Sequence, residues 1–581
     1  MKGKELVALA IGGMLLVSGV FSQPWTPIDT NFASISHLVP ASPVKSTILL
    51  RGKVDTVTNK NGAKGLVKDG LDFIGYIPIN GRSDSGYVIV NHEQLVKDPV
   101  AGDGGGMTVL TAFMQSGAWK VAGHPQGKFR AVDFSTVGGT QGNCGGTLTP
   151  WGTVLTGEEW EQFNNSTTHD SGRGYQDTSD YTIRQFNGAA VNKTYKRYRN
   201  LNWMVEVDPA GARALKKHYN MGRFLHEGGY CMPDGKTVYL TDDYTPAPFL
   251  KFISDQSGNY DKGKLYAYRQ TSDGAGGSWV ELPMDLDSLL HTREMAFKRG
   301  ATSFTRFEWA ELIGGKLYLS ETGNDATKAH SQTQAKWGST IARHLRGRIQ
   351  PDSTINDYFG RILRFDPQIN KMDVFLEGGP GSVNKAINFA NPDGLVSAKL
   401  GDKTYLVIQE NLNGMSQGRV PPAAEAANRY ICEMYWLDMS IASPKVDDLK
   451  RMVVGTVGAE ITGARFTPDS KTMFVNMQHP ASTNPAPYNT SYTLAIWGYE
   501  PATFSDPPRF AGRRGREVRV SVDALSRFVY FDRKTDVELF DSAGRRLERH
   551  KDVAMMDIQH LNPGRYFLRF SGKDLHKLTL Q

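Results

Sequence analysis

One short pattern recurs along the chain and restricts its fold more than any other feature. A glycine or turn residue is followed by four or five β-prone apolar residues and then by an abrupt cluster of acids or amides. The copies run from Gly86 to Glu93, Gly152 to Glu159, Gly235 to Asp243, Gly315 to Glu321, Asp402 to Glu410 and Ser470 to His479. Their starts lie 66, 83, 80, 87 and 68 residues apart. That exceeds the ~40 to 50 residues of a compact propeller blade, so each unit carries insertions. Regular strand units without helical periodicity, in 581 residues, point to radial repetition, which protects sheet edges. The expected fold is all-β, a six-bladed β-propeller over residues 23–500. Short apolar strands leave a pair of β-sandwiches or a β-helix open as alternatives.

Composition agrees with many short strands. The chain has 61 Gly and 28 Pro beside 10 Trp, 23 Tyr and 27 Phe, so turn formers and core fillers are both abundant. Cys144, Cys231 and Cys432 are too far apart for a CxxC metal pair and odd in number, so at least one thiol is free or a ligand. The net charge of +7 is uneven. Residues 510–581 hold 15 Lys and Arg against 10 Asp and Glu, which leaves 52 against 50 for the rest. The large part lacks the basic footprint of a phosphate-backbone binder, so nucleic acid is excluded as a partner.

The repeat has a second half. Between 13 and 18 residues ahead of an acid or amide at a strand end stands another ligand-type residue: Cys144 before Glu159, Glu227 before Asp242, Glu308 before Glu321, Asp393 before Glu410, Glu460 before Gln478. Taken singly, a Glu at a strand end reads as a solvated rim residue, and Cys144 as a buried apolar filler. Recurrence at one offset in five blades is what rim residues have no reason to show. In a propeller, equivalent positions converge on the axis. Several carboxylates meeting in a partly buried channel stay ionised only if cations neutralise them. Oxygen ligands favour Ca²⁺, and an added thiolate asks for a softer ion such as iron or zinc.

The segments around these residues resemble the PhoX-type alkaline phosphatases, a family of exported bacterial propeller enzymes. The matching pieces are Val90 to Glu93, Asn143 to Glu159, Gly222 to Gly229, Thr241 to Phe252, Arg306 to Trp309, Asn391 to Leu395 and Glu460 to Pro480, in order across about residues 70–500. The resemblance implies a propeller channel holding iron together with calcium, and hydrolysis of small-molecule phosphate monoesters. Position by position it implies that Cys144 is an iron thiolate ligand and that Glu227 and Glu308 are carboxylates on the metal cluster. Glu159, Asp393 and Glu460 correspond to the remaining channel acids, on calcium. Arg306 corresponds to the arginine that grips the substrate phosphate, which suits a planar guanidinium able to hold two phosphate oxygens at once. Metal-assisted hydrolysis needs no serine or histidine nucleophile. The chain indeed shows no P-loop, G-x-S-x-G elbow or HExxH helix. His226 reads as a base or, more simply, as a residue orienting Glu227. Gly157 stands where the family often has a cysteine.

The two ends read differently. Lys2 and Lys4 precede an uncharged stretch from Leu6 to Val20 and small residues near Ser22, so residues 1–22 are expected to be a secretory signal peptide. The chain is then exported, to the periplasm, cell surface or medium, by export machinery. A turn-rich linker is expected at 501–517 and a small C-terminal β-sandwich at 518–581. The sandwich resembles the sorting domain of type IX secretion substrates, which implies cell-surface attachment. Two other functions fit a channel of acids: a calcium-propeller hydrolase of another ester class, such as a lactonase or phosphodiesterase, or a non-catalytic surface-binding propeller.

Overall fold

Each recurring segment forms the second strand of its own sheet, in a computed structural model that describes residues 25–28, 35–102, 104–165, 174–175, 177–323, 340–348, 357, 359–383, 387–411, 431–499, 520–523, 528–542, 545–558, 561, 564–570 and 574–580. The six second strands are Ser85–His92, Val154–Glu158, Thr237–Asp242, Lys316–Glu321, Lys403–Glu410 and Thr472–Gln478. The strand before each is the innermost of its blade: Leu71–Pro78, Asn143–Leu148, His226–Cys231, Phe307–Ile313, Pro392–Leu400 and Glu460–Phe466. These inner strands neighbour one another in chain order, and the last lies beside the first, so the six blades close a ring. The chain belongs to the propeller architecture read from the repeat.

Second strands such as Thr472–Gln478 are buried along their whole length. Their sequences run apolar without alternation because neighbouring blades cover both faces. Aromatic rings fill the wedges between blades. Phe249 of blade 3 meets Phe365 of blade 4 at 5.3 Å between centroids, and Trp436 of blade 5 meets Phe466 of blade 6 at 5.6 Å. The wide spacing of the repeat comes from insertions. Blade 2 admits a hairpin, Asp180–Phe186 with Ala189–Lys196, between its second and third strands, and the sheet of blade 1 has seven strands.

Blade 6 is built from both ends of this unit. Its outermost strand is the N-terminal Lys45–Arg51, antiparallel to Tyr492–Trp497, with Lys45 opposite Trp497. Among the described residues no helix is long and apolar enough to cross a membrane. The expected signal peptide, residues 1–22, and the expected linker, 501–517, lie outside the described residues.

The chain divides into two compact units, Met1–Pro501 and Ala502–Gln581. In the second, Val520–Asp523, Phe528–Asp541, Arg546–Asp557, Gly564–Phe570 and Asp574–Leu580 hydrogen-bond as one sheet. The long strand Phe528–Asp541 pairs with three of the others. Val529, Val537, Leu539, Met556, Ile558, Leu561 and Leu568 make its small core.

Candidate metal centre

Five inner strands carry a β-bulge where they enter the channel. The pairing shifts between Leu71 and Ile74, Asn143 and Gly146, His226 and Gly228, Phe307 and Ala310, and Pro392 and Leu395. Inside those bulges sit Asp72, Cys144, Glu227, Glu308 and Asp393. An extra residue bends a strand and re-aims its side chain, so one device repeated five times turns five ligand-type groups toward the axis. Blade 6 differs: its bulge falls between Thr462 and Arg465, and Glu460 pairs regularly with Gln478.

The convergence is close. Three groups each bring ligand atoms within 4.8 Å of one another: Asp72, Glu93 and Cys144; Cys144, Glu159 and Glu227; Glu227, Glu308 and Asp393. Cys144 and Glu227 are each shared by two groups, so the three form one continuous chain of donors. The Cys144 thiol donates to Asp72 Oδ2 at 2.9 Å and to Glu227 Oε1 at 3.4 Å. Glu460 stands outside the three groups but near enough for the Asp393 charge to add to burial in raising its pKa. Beneath them the channel has a floor. Phe73 and Trp309, from opposite sides of the ring, meet at 5.4 Å between centroids, and Trp309 Nε1 donates to Glu227 Oε1 at 3.1 Å.

Electrostatics repeat the point. Burial, then repulsion among neighbouring acids, pushes Glu159, Glu227, Glu308 and Glu460 well above the usual carboxylate range. Asp72 is raised for the same reasons, although Cys144 and Thr462 oppose the shift. Asp393 is pushed up to about 6, chiefly by burial. The Cys144 thiol is raised by burial and then by Asp72 and Glu227. These groups hold together as neutral acids or around cations, and as bare anions they repel. Asp393 Oδ1 is buried without a hydrogen-bond partner among the described residues, an acceptor left over for an ion.

The polar pairs at second-strand ends, two of them pairs of acids, divide their labour. The first member clasps its own blade. Glu158 accepts from Lys217 Nζ at 2.8 Å and from the Trp203 amide at 3.1 Å. Asp242 takes Arg293 in a two-pronged pair at 2.7 and 2.8 Å. Glu321 accepts from the Thr305 amide, His344 and Arg361, and Glu410 from the Ala390 and Glu433 amides. In blades 1 to 3 the second member belongs to the site: Glu93 and Glu159 enter the donor groups, and Asp243 holds Arg306.

Arg306 lies beside the donors. Its Nε and Nη2 donate to the two oxygens of Asp243 at 2.8 and 3.0 Å, and Nη2 also donates to Glu308 Oε1 at 3.1 Å. Burial opposes its charge, but Asp243 and Glu308 outweigh that and push its pKa up. Its backbone sits at φ 33°, in the left-handed region, fixed by its amide on the Tyr244 carbonyl. His226 Nε2 donates to the Gly222 carbonyl, 2.8 Å away, and burial lowers its pKa to about 3, so it is neutral and serves as a strut next to Glu227. Gly157 has a steric reason: a Cβ there would stand 2.2 Å from the His226 carbonyl oxygen.

Sequence reasoning missed Asp72, Glu93 and Asp243. Asp72 precedes Glu93 by 21 residues, beyond the 13 to 18 of the other blades. Glu93 and Asp243 lay inside the recognised motif, and the signal that finds them is their place as the second residue of each terminal pair.

A closed propeller whose inner strands deliver acids and one thiol to a single mouth has the frame of a propeller phosphoesterase. A family model described as Alkaline phosphatase PhoX matches residues 111–481, and the chain belongs to that family. The structure is similar to that of Pseudomonas fluorescens PhoX in complex with vanadate, a transition state analogue, with a TM-score of 0.61 and 22% identity over 82% of this chain and 98% of that one. Trypanosoma rangeli sialidase aligns with a TM-score of 0.34 and 10% identity over 79% of this chain and 60% of that one. Phage phi92 endosialidase gives 0.36 and 8% over 92% and 87%. The comparison with curated proteins gave no match.

Proposed function

We propose that this alkaline phosphatase-like hydrolase is an exported enzyme that cleaves small-molecule phosphate monoesters at an iron and calcium centre in the propeller channel. The observation that carries the reading is the chain of three donor groups sharing Cys144 and Glu227. The donor set fits mixed metals, since a thiol beside carboxylates suits iron and all-oxygen groups suit calcium. Cys144, Glu227 and Glu308 would hold iron, and Glu159, Asp393 and Glu460 calcium. Asp72 and Glu93 extend both sets. When bound, such cations polarise phosphoryl oxygens and offset the charge that builds up in transfer.

The protein's own groups do the rest. Arg306, oriented by Asp243 through Nε and Nη2, would meet the phosphate with its Nη1 and Nη2 edge, in place of the Gly323 carbonyl and Glu308. Trp309 orients Glu227, and the Phe73–Trp309 floor keeps water from reaching the acids from below. Residues 1–22 would direct export, and the C-terminal unit would sort the protein to the cell surface, in line with the resemblances in sequence.

Metal analysis of purified protein together with turnover of an aryl phosphate tests the reading. Bound iron and calcium with phosphate release are expected. Calcium without phosphate release would move the protein to another ester class, and absence of metal would leave a binding propeller.

A further inference from the structure

Three large apolar side chains stand exposed within a few residues of the channel acids: Trp160, Phe163 and Tyr244, at 40, 52 and 38%. Two occupy equivalent places. Trp160 follows the channel acid Glu159 in blade 2, and Tyr244 follows Asp243 in blade 3. Each is held by groups of the site or its clasps. Trp160 Nε1 donates to Glu93 Oε1 at 2.6 Å, and Gly142 lies so close that a Cβ there would come 2.8 Å from the indole Cδ1. One edge of the indole is therefore tied to a donor group and one side rests on backbone, while much of the ring stays open to solvent.

Tyr244 is steadied in another way. Arg293 covers one side of its ring, 3.9 Å from the centroid, while gripping Asp242. The same guanidinium reaches Glu161 at 3.5 Å, next to Trp160 in sequence, so the two aromatic positions are joined through Glu161 and Arg293. The Tyr244 carbonyl accepts the Arg306 amide at 2.9 Å. Both rings are therefore exposed yet fixed in place, one by a donor group and the other by a clasp.

We propose that Trp160 and Tyr244 form the subsite for the alcohol part of the ester and select phosphate monoesters whose alcohol carries a flat ring, as in a nucleoside monophosphate. With the phosphate at Arg306 and the donor groups, the remainder of the ester lies toward the rim where these rings stand. A flat ring stacks on the open side of Trp160 or Tyr244, and a flexible polyol gains far less there. The proposal rests on the phosphatase reading above.

The test compares adenosine 5′-monophosphate with glycerol 1-phosphate. Both are esters of primary alcohols, so their chemical reactivity is similar, and the flat base with the ribose that carries it is the difference. The native protein is expected to favour the nucleotide in kcat/KM by about tenfold or more. Trp160→Leu and Tyr244→Leu should each bring that ratio severalfold closer to one, whereas Trp160→Phe, which keeps a flat face, should preserve most of it. Metal content is measured alongside, because Trp160 also steadies Glu93. Tyr244→Leu carries the test if Trp160→Leu fails to fold, since its ring touches Arg293 rather than the acids. A native protein that hydrolyses both esters, with the ratio unchanged in the leucine variants, overturns the subsite alone. A native protein that hydrolyses neither overturns the phosphatase reading and the subsite with it.

Discussion

A Cβ added at Gly145 would stand 1.6 Å from the carbonyl oxygen of Glu227, so the inner strands of blades 2 and 3 approach as closely as backbone allows. That approach is what lets Cys144 and Glu227 share two donor groups. Gly145→Ala is expected to cost more than about 3 kcal/mol, seen as a thermal midpoint lowered by several degrees and less bound metal. Glu308→Gln should reduce turnover at least about 100-fold and release metal, by activity assay and elemental analysis. Arg306→Ala should lower kcat or raise KM with metal content unchanged, because its contacts are to Asp243 and Glu308 carboxylates rather than to every donor. Cys144, Glu227, Glu308 and Asp393 were legible as single residues because each sits 13 to 17 residues ahead of a polar strand end. Glu460 was legible in the same way, yet its strand bulges later, and no spacing rule announces where a bulge falls.

The hairpin of inner and second strand is the unit that repeats, and its end does two jobs. In Glu158, Asp242, Glu321 and Glu410 a buried acid ties the channel end to the strand outside it or to the loop before it. Burial raises Glu321, but His344, Arg361 and the Thr305 amide outweigh it and hold the carboxyl at about 2, against an ordinary value of 4.5. A depressed folded-state pKa contributes stability above 4.5, and that contribution is lost as pH falls through about 2. Wild-type protein should therefore lose more stability than Glu321→Gln between those two values, measured by denaturant unfolding across pH. Glu158→Gln leaves Lys217 charged and buried, and a loss of about 3 to 5 kcal/mol is expected. The strands themselves were easy to read, because covered blades demand continuous apolar runs. Which acid of Glu158–Glu159 and of Asp242–Asp243 faces the channel was not, since both sit in the same short string and only the pairing register separates them.

For the propeller as a whole, the acids at the axis are a liability that bound cations relieve. Chelation should lower the thermal midpoint of the native protein, more at pH 8 than at pH 5, where raised acids such as Asp393 take up protons instead. Restoring metal should restore the midpoint. The number of blades followed from counting motifs, but the insertions that stretch the repeat were visible only as irregular spacing. Deep burial and the Phe73–Trp309 contact across the ring depend on closure, which no local stretch of sequence records.

Closure by Lys45–Arg51 also sets a timetable. At about 5 to 20 residues per second, roughly 20 to 90 s of synthesis separate this strand from its mate at Tyr492–Trp497. Throughout that interval the edge that pairs with Tyr492–Trp497 has no native neighbour. The ring therefore closes late, after the last blade has been delivered, and the order of events in making this protein is written into where its first strand finally rests.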